Sequence, residues 1–150
     1  MKNRIPPPVL LLVTGVIMWL VAHSDFAYPV SVPYPLALSL SVAALGLLIA
    51  LLAIRQFRDA QTTVNPLSPE KATSLVNTGI FSRSRNPMYV GLLFVSVGWA
   101  LWLGSLSNVV VIGLFVVVIS ELQIKPEEKA LKSLFGSVYE DYCMQVRRWF

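Results

Sequence analysis

The sequence predicts an all-α membrane protein with four transmembrane helices, both termini in the cytoplasm, and an amphipathic helix at its C-terminal end. Of its 150 residues, 55% are hydrophobic and only 13% are charged, whereas a soluble domain usually has about 25% charged residues. One small core cannot bury so much apolar surface, so we expect the lipid bilayer to cover the remainder. We predict a single membrane domain over residues 1–150.

Four apolar stretches predict the transmembrane helices, at about residues 8–24, 36–54, 88–103 and 107–124. The second is close to the roughly 20 residues that cross a bilayer as a helix. The others are shorter, which a thin or locally deformed bilayer tolerates. The third and fourth form a hairpin about the turn LGSLSN. The first stretch could instead be a cleaved signal peptide, because it has a charged start and a short apolar run before AHS. That alternative would leave an odd number of spans.

The positions of the basic residues predict the orientation of these helices. All 12 fall on one side of the four-helix arrangement: Lys2, Arg4, Arg55, Arg58, Lys71, Arg83, Arg85, Lys125, Lys129, Lys132, Arg147 and Arg148. Loops rich in lysine and arginine remain in the cytoplasm. We therefore expect a multi-pass protein of a prokaryotic inner membrane, with its functional residues on the cytoplasmic side.

Two polar segments are expected on that side, a loop at residues 55–87 and a C-terminal cap at residues 125–150. The loop contains Pro66 and Pro69 and is expected to turn at Gly79; such a long connection is uncommon unless it is functional or disordered. In the cap, apolar residues recur at helical spacing and predict an amphipathic helix, with Gly136 as a candidate break. This helix either lies on the membrane surface or closes over a site.

Cysteine and histidine are too scarce for most metal centres. Cys143 is the only cysteine, which excludes an internal disulfide. His23 is the only histidine, which argues against a histidine-based metal site. We expect neither a metal ion nor a nucleic-acid partner.

The stretch RSRNPMYVG, residues 83–91, places positive charge at the start of the third span. Proline is favoured in the first turn of a helix, so Pro87 predicts the helix start. Backbone N–H groups and the positive end of the helix dipole then suit a carboxylate or a phosphate. The alternative is that Arg83 and Arg85 are only topology signals or contacts to lipid headgroups.

Acidic residues follow the fourth span. Glu127 and Glu128 come directly after Pro126, either because acidic residues favour a first helical turn or because they bind a cationic ligand. Glu121 lies at the edge of the apolar run, where an ionisable residue indicates function, and Gln123 precedes Glu127 by one helical turn. In a hairpin these carboxylates adjoin the start of the third helix. The anion-binding start of the third span and these carboxylates would together fit a zwitterion with a further positive charge, such as S-adenosylmethionine.

These motifs resemble those of the isoprenylcysteine carboxyl methyltransferase and phospholipid methyltransferase superfamily of integral membrane enzymes. That superfamily carries a pattern like L-V-x-x-G-x-Y and R-H-P-x-Y-x-G, and later E-E-x-x-L, F-G-x-x-Y-x-x-Y and V-P-R. This chain has SLVNTGIFSRSRNPMYVG and then EEKALKSLFGSVYEDYCMQVRRW, in the same order over about residues 71–150. The resemblance implies an S-adenosylmethionine-dependent methyltransferase with its cofactor at the cytoplasmic face. The acceptor would be a lipophilic small molecule or a lipid that is reached from the bilayer.

The resemblance, together with the charged groups described above, implies site residues. The cofactor would be bound by Thr73, Ser74, Leu75, Val76, Phe81, Arg85, Asn86, Pro87, Met88, Tyr89, Glu127 and Glu128. The acceptor would be contacted by Gln123, Glu121 and Arg148, and no residue is assigned a catalytic role. Membrane lipids are the expected surroundings.

Three positions depart from the superfamily pattern. Asn86 stands in place of the usual histidine, and Phe81 in place of the usual tyrosine. Gln123 stands where isoprenylcysteine-type enzymes have an arginine, and a neutral amide cannot make that bidentate contact to a carboxylate. A prenylcysteine is therefore not the expected acceptor. Two alternatives stay open: a non-catalytic relative acting as a membrane partner protein, and an NADPH-dependent membrane reductase.

Overall fold

Six α-helices make up the described part of the protein, and no β-strand occurs there. The computed structural model of the protein describes residues 5–61 and 72–150. Its helices are α1 (Pro7–Ala22), α2 (Pro35–Asp59), α3 (Pro87–Leu103), α4 (Asn108–Ile119), α5 (Lys125–Phe135) and α6 (Ser137–Gln145). A 3₁₀ turn, Gly79–Ser82, precedes α3, and a π-helical turn, Ser120–Ile124, joins α4 to α5. The predicted all-α class is confirmed.

Two helical runs are long and apolar enough to cross a membrane: α2 and the continuous run Asn108–Phe135. α1 and α3 are apolar helices of 16 and 17 residues. α2 continues past residue 54, the predicted end of its span, and its last turns carry an exposed ion pair between Arg55 and Asp59. Parts of the predicted charge pattern and loop lie outside the described residues, namely Lys2, Arg4, Pro66, Pro69 and Lys71.

The helix that begins at Asn108 does not stop before Pro126 but runs on into α5. Pro126 stands in the first turn of α5 and has no N–H, so it cannot make the usual bond to the preceding turn. The wider π-helical turn directly before it accommodates this missing bond. Glu127 and Glu128 therefore project from a helix that is continuous with the apolar one.

Small residues let α2 and α3 approach closely. A Cβ atom on Gly91 of α3 would lie 2.5 Å from the carbonyl oxygen of Gly46 on α2. Farther along, a Cβ atom on Gly98 would lie 2.8 Å from the carbonyl oxygen of Ser39. In apolar surroundings helices associate through such close packing, because lipid provides no hydrophobic drive. α1 in turn packs against both α3 and α4.

At the end of α3 distant from Pro87, the α1–α2 connection pairs with the α3–α4 turn. The Val30 N–H donates to the Gly104 carbonyl at 2.8 Å, and the Leu106 N–H donates to the Tyr28 carbonyl at 2.9 Å. Gly104 has a φ of +59°, a left-handed conformation that glycine adopts without strain. These bonds tie the α1–α2 hairpin to the α3–α4 hairpin.

We expect Gly91→Ala to lower the thermal stability, because the added methyl group overlaps the Gly46 carbonyl. Overpacking of this kind costs about 1–3 kcal/mol. Gly113→Ala on α4 is the matched control, since a Cβ atom there meets nothing within 4 Å. Thermal unfolding of the detergent-solubilised proteins, followed by circular dichroism, provides the comparison. Equal melting temperatures for both variants would contradict the close approach of α2 and α3.

Candidate functional site

A cavity of about 90 Å³ lies at the N-terminal end of α3. It is bounded by the end of α2, the segment before α3, and helices α5 and α6. Its lining residues are Phe57, Ala72, Ser74, Leu75, Val76, Phe81, Arg85, Asn86, Pro87, Met88, Tyr89, Glu127, Glu128, Leu131, Tyr139 and Tyr142. Every residue that the sequence analysis assigned to cofactor binding lines this cavity, except Thr73.

The start of α3 forms one wall of the cavity. Pro87 occupies the first helical position, as predicted, and the carbonyl of Asn86 accepts hydrogen bonds from the N–H groups of Tyr89 and Val90, both at 3.0 Å. The Asn86 side chain is buried and its Nδ2 donates to the Arg148 carbonyl at 3.0 Å. The amide at the position of the superfamily's histidine therefore bonds to the C-terminal segment.

The segment before α3 is attached to the end of α2. The Thr73 hydroxyl donates to the Gln61 carbonyl, and the Ser74 hydroxyl donates to the Ala60 carbonyl, both at 3.0 Å. Gly79 has a φ of +57° and lies directly under the Gln56 side chain, so a Cβ atom there would overlap the Gln56 amide. These contacts fix the wall that Ser74, Leu75, Val76 and Phe81 contribute.

Glu128 is held between two arginines. Arg148 binds it in a bidentate manner, with Nε at 2.9 Å from Oε1 and Nη2 at 2.7 Å from Oε2. Arg85 Nη2 lies 3.3 Å from Oε1, and the Arg85 and Glu128 side chains are only 13% and 17% exposed. The hydrogen bond from Arg148 to Glu128 raises the pKa of the Arg148 guanidinium above its ordinary value. Glu128 therefore joins the segment before α3 to residues near the end of the chain.

Two further bonds join the same parts of the protein. The Arg85 N–H donates to the Arg147 carbonyl at 3.0 Å. The Tyr142 hydroxyl donates to the Phe81 carbonyl at 2.7 Å, a bond that is buried. Together with the Asn86 bond, they hold α6 and the residues after it along one side of the cavity.

Glu127 makes different contacts from those of its neighbour. The Tyr89 hydroxyl donates a hydrogen bond to Glu127 Oε1. The Tyr89 ring is buried in a cluster with Phe115, Ile119 and Ile124, which fixes the position of the hydroxyl. The carboxylate of Glu127 is thus oriented at the cavity wall by a side chain of α3.

Two residues assigned to the acceptor lie away from the cavity. Gln123 is fully buried, its Nε2 donates to the Ile5 carbonyl, and its Oε1 has no hydrogen-bond partner within the described ranges. Glu121 pairs with Lys125 on an exposed face. Gln123 lies within a π-helical turn, so its relation to Glu127 is not the i, i+4 relation of a regular α-helix. The third, Arg148, does not line the cavity but bonds to two residues of its wall, Glu128 through its side chain and Asn86 through its carbonyl.

Sequence reasoning assigned no site role to several residues of the wall: Phe57, Ala72, Leu131, Tyr139 and Tyr142. Leu131, Tyr139 and Tyr142 belong to the predicted apolar face of the cap, and that face turns toward the cavity. Gly136 separates α5 from α6, with φ +52° and ψ −127°, a conformation open to glycine. Phe57 packs edge-on against Phe81, with ring centroids 4.9 Å apart, a contact without a signal in the sequence.

The cavity wall contains one arginine, two carboxylates and three tyrosines as its titratable groups. Burial raises the pKa of Tyr139 and of Tyr142 far above the ordinary range. Both therefore remain neutral hydroxyls that can donate hydrogen bonds but cannot accept a proton as phenolates. Within residues 5–61 and 72–150, no three His, Cys, Asp or Glu side chains are grouped to hold a metal ion.

Comparison with known proteins gives two matches. A family model described as phospholipid methyltransferase matches residues 34–138, well over half of the chain. A protein of Haemophilus influenzae with the name "Uncharacterized protein" is 42% identical over 62 residues. That match covers 41% of this chain and 98% of the Haemophilus protein. The family match includes most of the cavity wall and ends just before Tyr139.

We expect Glu128→Gln to loosen the C-terminal segment, because the neutral side chain cannot balance two arginines. Hydrogen bonds to charged groups contribute about 1.5–3 kcal/mol, so the melting temperature should fall and residues 146–150 should become accessible to carboxypeptidase. Lys132→Gln is the matched control. Its ion pair with Glu140 is 64% and 53% exposed, and such surface pairs contribute about 0–1 kcal/mol. Equal digestion of the two variants would argue against the attachment through Glu128.

We also expect the stability to fall as the pH rises above about 10, the ordinary pKa of a tyrosine hydroxyl. In the folded protein, burial holds the pKa of Tyr139 and Tyr142 above this value. Over that pH range unfolding therefore releases protons and is favoured by rising pH. Thermal unfolding at a series of pH values checks this. Tyr139→Phe combined with Tyr142→Phe should flatten the decline, and an unchanged slope would contradict the assignment.

Proposed function

Because the chain belongs to the phospholipid methyltransferase family, we propose that it transfers a methyl group from S-adenosylmethionine to a lipophilic acceptor in the membrane. The observation that carries this proposal is the cavity, which brings Glu127 to the N-terminal end of α3. The proposal includes four membrane crossings, by α1, α2, α3 and the helix beginning at Asn108. It places both termini and the cavity on the cytoplasmic side of a prokaryotic inner membrane, as the basic residues favour.

The residues of the cavity suit the chemical groups of this cofactor. The N-terminal end of a helix carries partial positive charge and suits the carboxylate. The carboxylate of Glu127 suits the ammonium group through a charge-assisted hydrogen bond. Phe81 and Leu131 supply apolar surface for the remainder.

The bound cofactor would supply an activated methyl group, and the protein's task would be to bind and orient the reactants. Tyr89 fixes the carboxylate of Glu127, and the bonds of Arg148 hold the wall opposite α3. Positioning alone can lower the activation barrier between well-aligned reactants by about 7–11 kcal/mol. A transfer of this kind therefore needs no covalent intermediate with the protein.

Some acceptors must lose a proton before or during methyl transfer. A carboxylate or thiolate needs no base, whereas an ammonium does. Tyr139 and Tyr142 stay protonated, since burial raises the pKa of both, and Glu128 is bound by two arginines. Glu127 is assigned to the ammonium group of the cofactor, so we propose that water accepts the proton when the acceptor is an amine or a hydroxyl.

The direct test is calorimetric titration of the detergent-purified protein with S-adenosylhomocysteine, the demethylated form of the cofactor. We expect saturable binding that weakens about 10- to 150-fold in Glu127→Gln, which corresponds to about 1.5–3 kcal/mol for a charged hydrogen bond. Glu121→Gln is the matched control, because Glu121 pairs with Lys125 away from the cavity. Its binding should equal that of the wild type.

Two outcomes would contradict the proposal. Binding of NADPH in place of S-adenosylhomocysteine would favour a membrane reductase. Absence of binding to either compound by folded protein would favour a non-catalytic relative that acts as a membrane partner. Equal loss of affinity in Glu127→Gln and Glu121→Gln would reject the assigned site while leaving the activity open to a direct methylation assay.

A further inference from the structure

The residues after α6, 146–150, form a strap that crosses α3 beside the cavity. Val146 has φ −125° and ψ 132°, so the strap begins in an extended conformation. Its first half is fastened to the cavity wall, because the Arg148 carbonyl accepts a hydrogen bond from Asn86 and the Arg148 guanidinium binds Glu128. Arg148 is therefore a fixed point of the strap.

The last two residues of the strap are attached in a different way. Trp149 is half-buried and packs against the cluster that contains Tyr89 of α3 and Phe115 of α4. Phe150 is 63% exposed and lies edge-on to Phe94 of α3, with ring centroids 6.5 Å apart. Among the described residues, the backbone of Trp149 and Phe150 has no hydrogen-bond partner. The contacts of the two rings therefore hold them on α3.

These two rings lie in a gap between α2 and α4. Within the described part of the chain, α2 packs along α3 and makes no extensive contact with α4. Phe94 borders α2, since a Cβ atom on Gly46 would lie 2.8 Å from the Phe94 Cβ. The cavity lies at one end of this gap, because it is lined by Phe57 of α2 and by Leu131 of α5, which continues α4. The rings therefore occupy the gap where it meets the cavity.

The cavity is too small to hold two reactants while its surroundings stay in place. Its volume is about 90 Å³, whereas ligand sites commonly measure about 300–1,000 Å³. Charged hydrogen bonds fix the strap at Arg148, but Trp149 and Phe150 are held by ring contacts. In a bilayer, a displaced ring exchanges these contacts for hydrocarbon chains that are equally apolar. The two rings are therefore the part of the surroundings that moves at the lowest cost.

We propose that Trp149 and Phe150 form a gate that admits the methyl acceptor from the bilayer to the cavity. The two residues swing about Arg148, open the gap between α2 and α4, and return over α3 after the acceptor has passed. This inference rests on the proposed function and concerns the control of its site. The start of α3 and Glu127, which are assigned to the cofactor, keep their places when the rings move, so cofactor binding does not depend on the gate.

Fastening the gate in its closed position tests this inference. Phe94→Cys and Phe150→Cys are combined with Cys143→Ser, and a short bis-methanethiosulfonate reagent joins the two new thiols until dithiothreitol releases them. The matched control is Lys132→Cys with Glu140→Cys, at an exposed ion pair that links α5 to α6 with 2.7 Å between its charged atoms. It also carries Cys143→Ser. Both proteins are placed in nanodiscs of bacterial lipid extract.

The first measurement is the transfer of labelled methyl groups from S-adenosylmethionine to the lipid fraction. We expect the bridge between residues 94 and 150 to lower this transfer at least tenfold, and dithiothreitol to restore it. The affinity for S-adenosylhomocysteine should stay the same with and without the bridge, which also shows that the protein remains folded. The control pair should keep its activity in both states.

The second measurement does not depend on methyl transfer. The nanodiscs contain a phospholipid with a photoreactive group beside its polar head, and mass spectrometry quantifies the labelled peptides of residues 72–86 in the cavity wall. We expect the bridge to lower this labelling at least fivefold. Phe150→Ala removes the outer ring of the gate and should raise the labelling at least twofold over the wild type. This variant provides the test should the cysteine pair not fold.

The gate and the proposed function fail in different ways. Unchanged methylation and labelling in the bridged protein would overturn the gate, while wild-type methylation would still support the proposed function. Loss of affinity for S-adenosylhomocysteine on bridging would assign the strap to the cofactor and would also overturn the gate. A wild type that neither binds S-adenosylhomocysteine nor methylates any lipid would overturn the proposed function, and the gate for a methyl acceptor would be rejected with it.

Discussion

The ion pairs of Glu128 with Arg85 and Arg148 hold the site together. They join three parts of the chain: the segment before α3, helix α5 and the residues after α6. Charged groups that are largely removed from water are stable only when each has a partner, and removal of one partner leaves the others uncompensated. The wall formed by α6 therefore depends on this cluster as much as on the apolar packing of Tyr139 and Tyr142.

The two adjacent glutamates have separate tasks because consecutive residues of a helix point in different directions. Glu128 faces the two arginines, which balance its charge and occupy both of its oxygens. Glu127 faces α3, where Tyr89 orients it. Glu128 and its two arginines thus hold the segments around the cavity in place, while the carboxylate of Glu127 lies at the cavity wall. This separation supports the proposal that Glu127, rather than Glu128, contacts a cationic ligand.

Sequence reasoning succeeded where a residue restricts its own backbone. Pro87 predicted the start of α3, and Gly136 predicted the break in the cap, because both effects are local. The resemblance to a known superfamily located most of the cavity wall but could not separate the tasks of Glu127 and Glu128. The residues that bond to the two glutamates come from distant parts of the chain, and one of them, Arg148, lies in an irregular segment. Gln123 was assigned to the acceptor because it stands where isoprenylcysteine-type enzymes have an arginine. In the structure it lies in a π-helical turn and donates to the Ile5 carbonyl, just before α1.

The position of Arg148 has a consequence for biosynthesis. All four apolar helices are translated before this residue, so in the proposed membrane arrangement each can enter the bilayer while the wall formed by α6 is still incomplete. A nascent chain at that stage has its four apolar helices but lacks the bonds from Arg148 to Glu128 and from Asn86 to the Arg148 carbonyl. If the cavity binds the proposed cofactor, the order of translation delays that binding until the last residues of the chain have been made, and an unfinished chain does not compete for the cofactor.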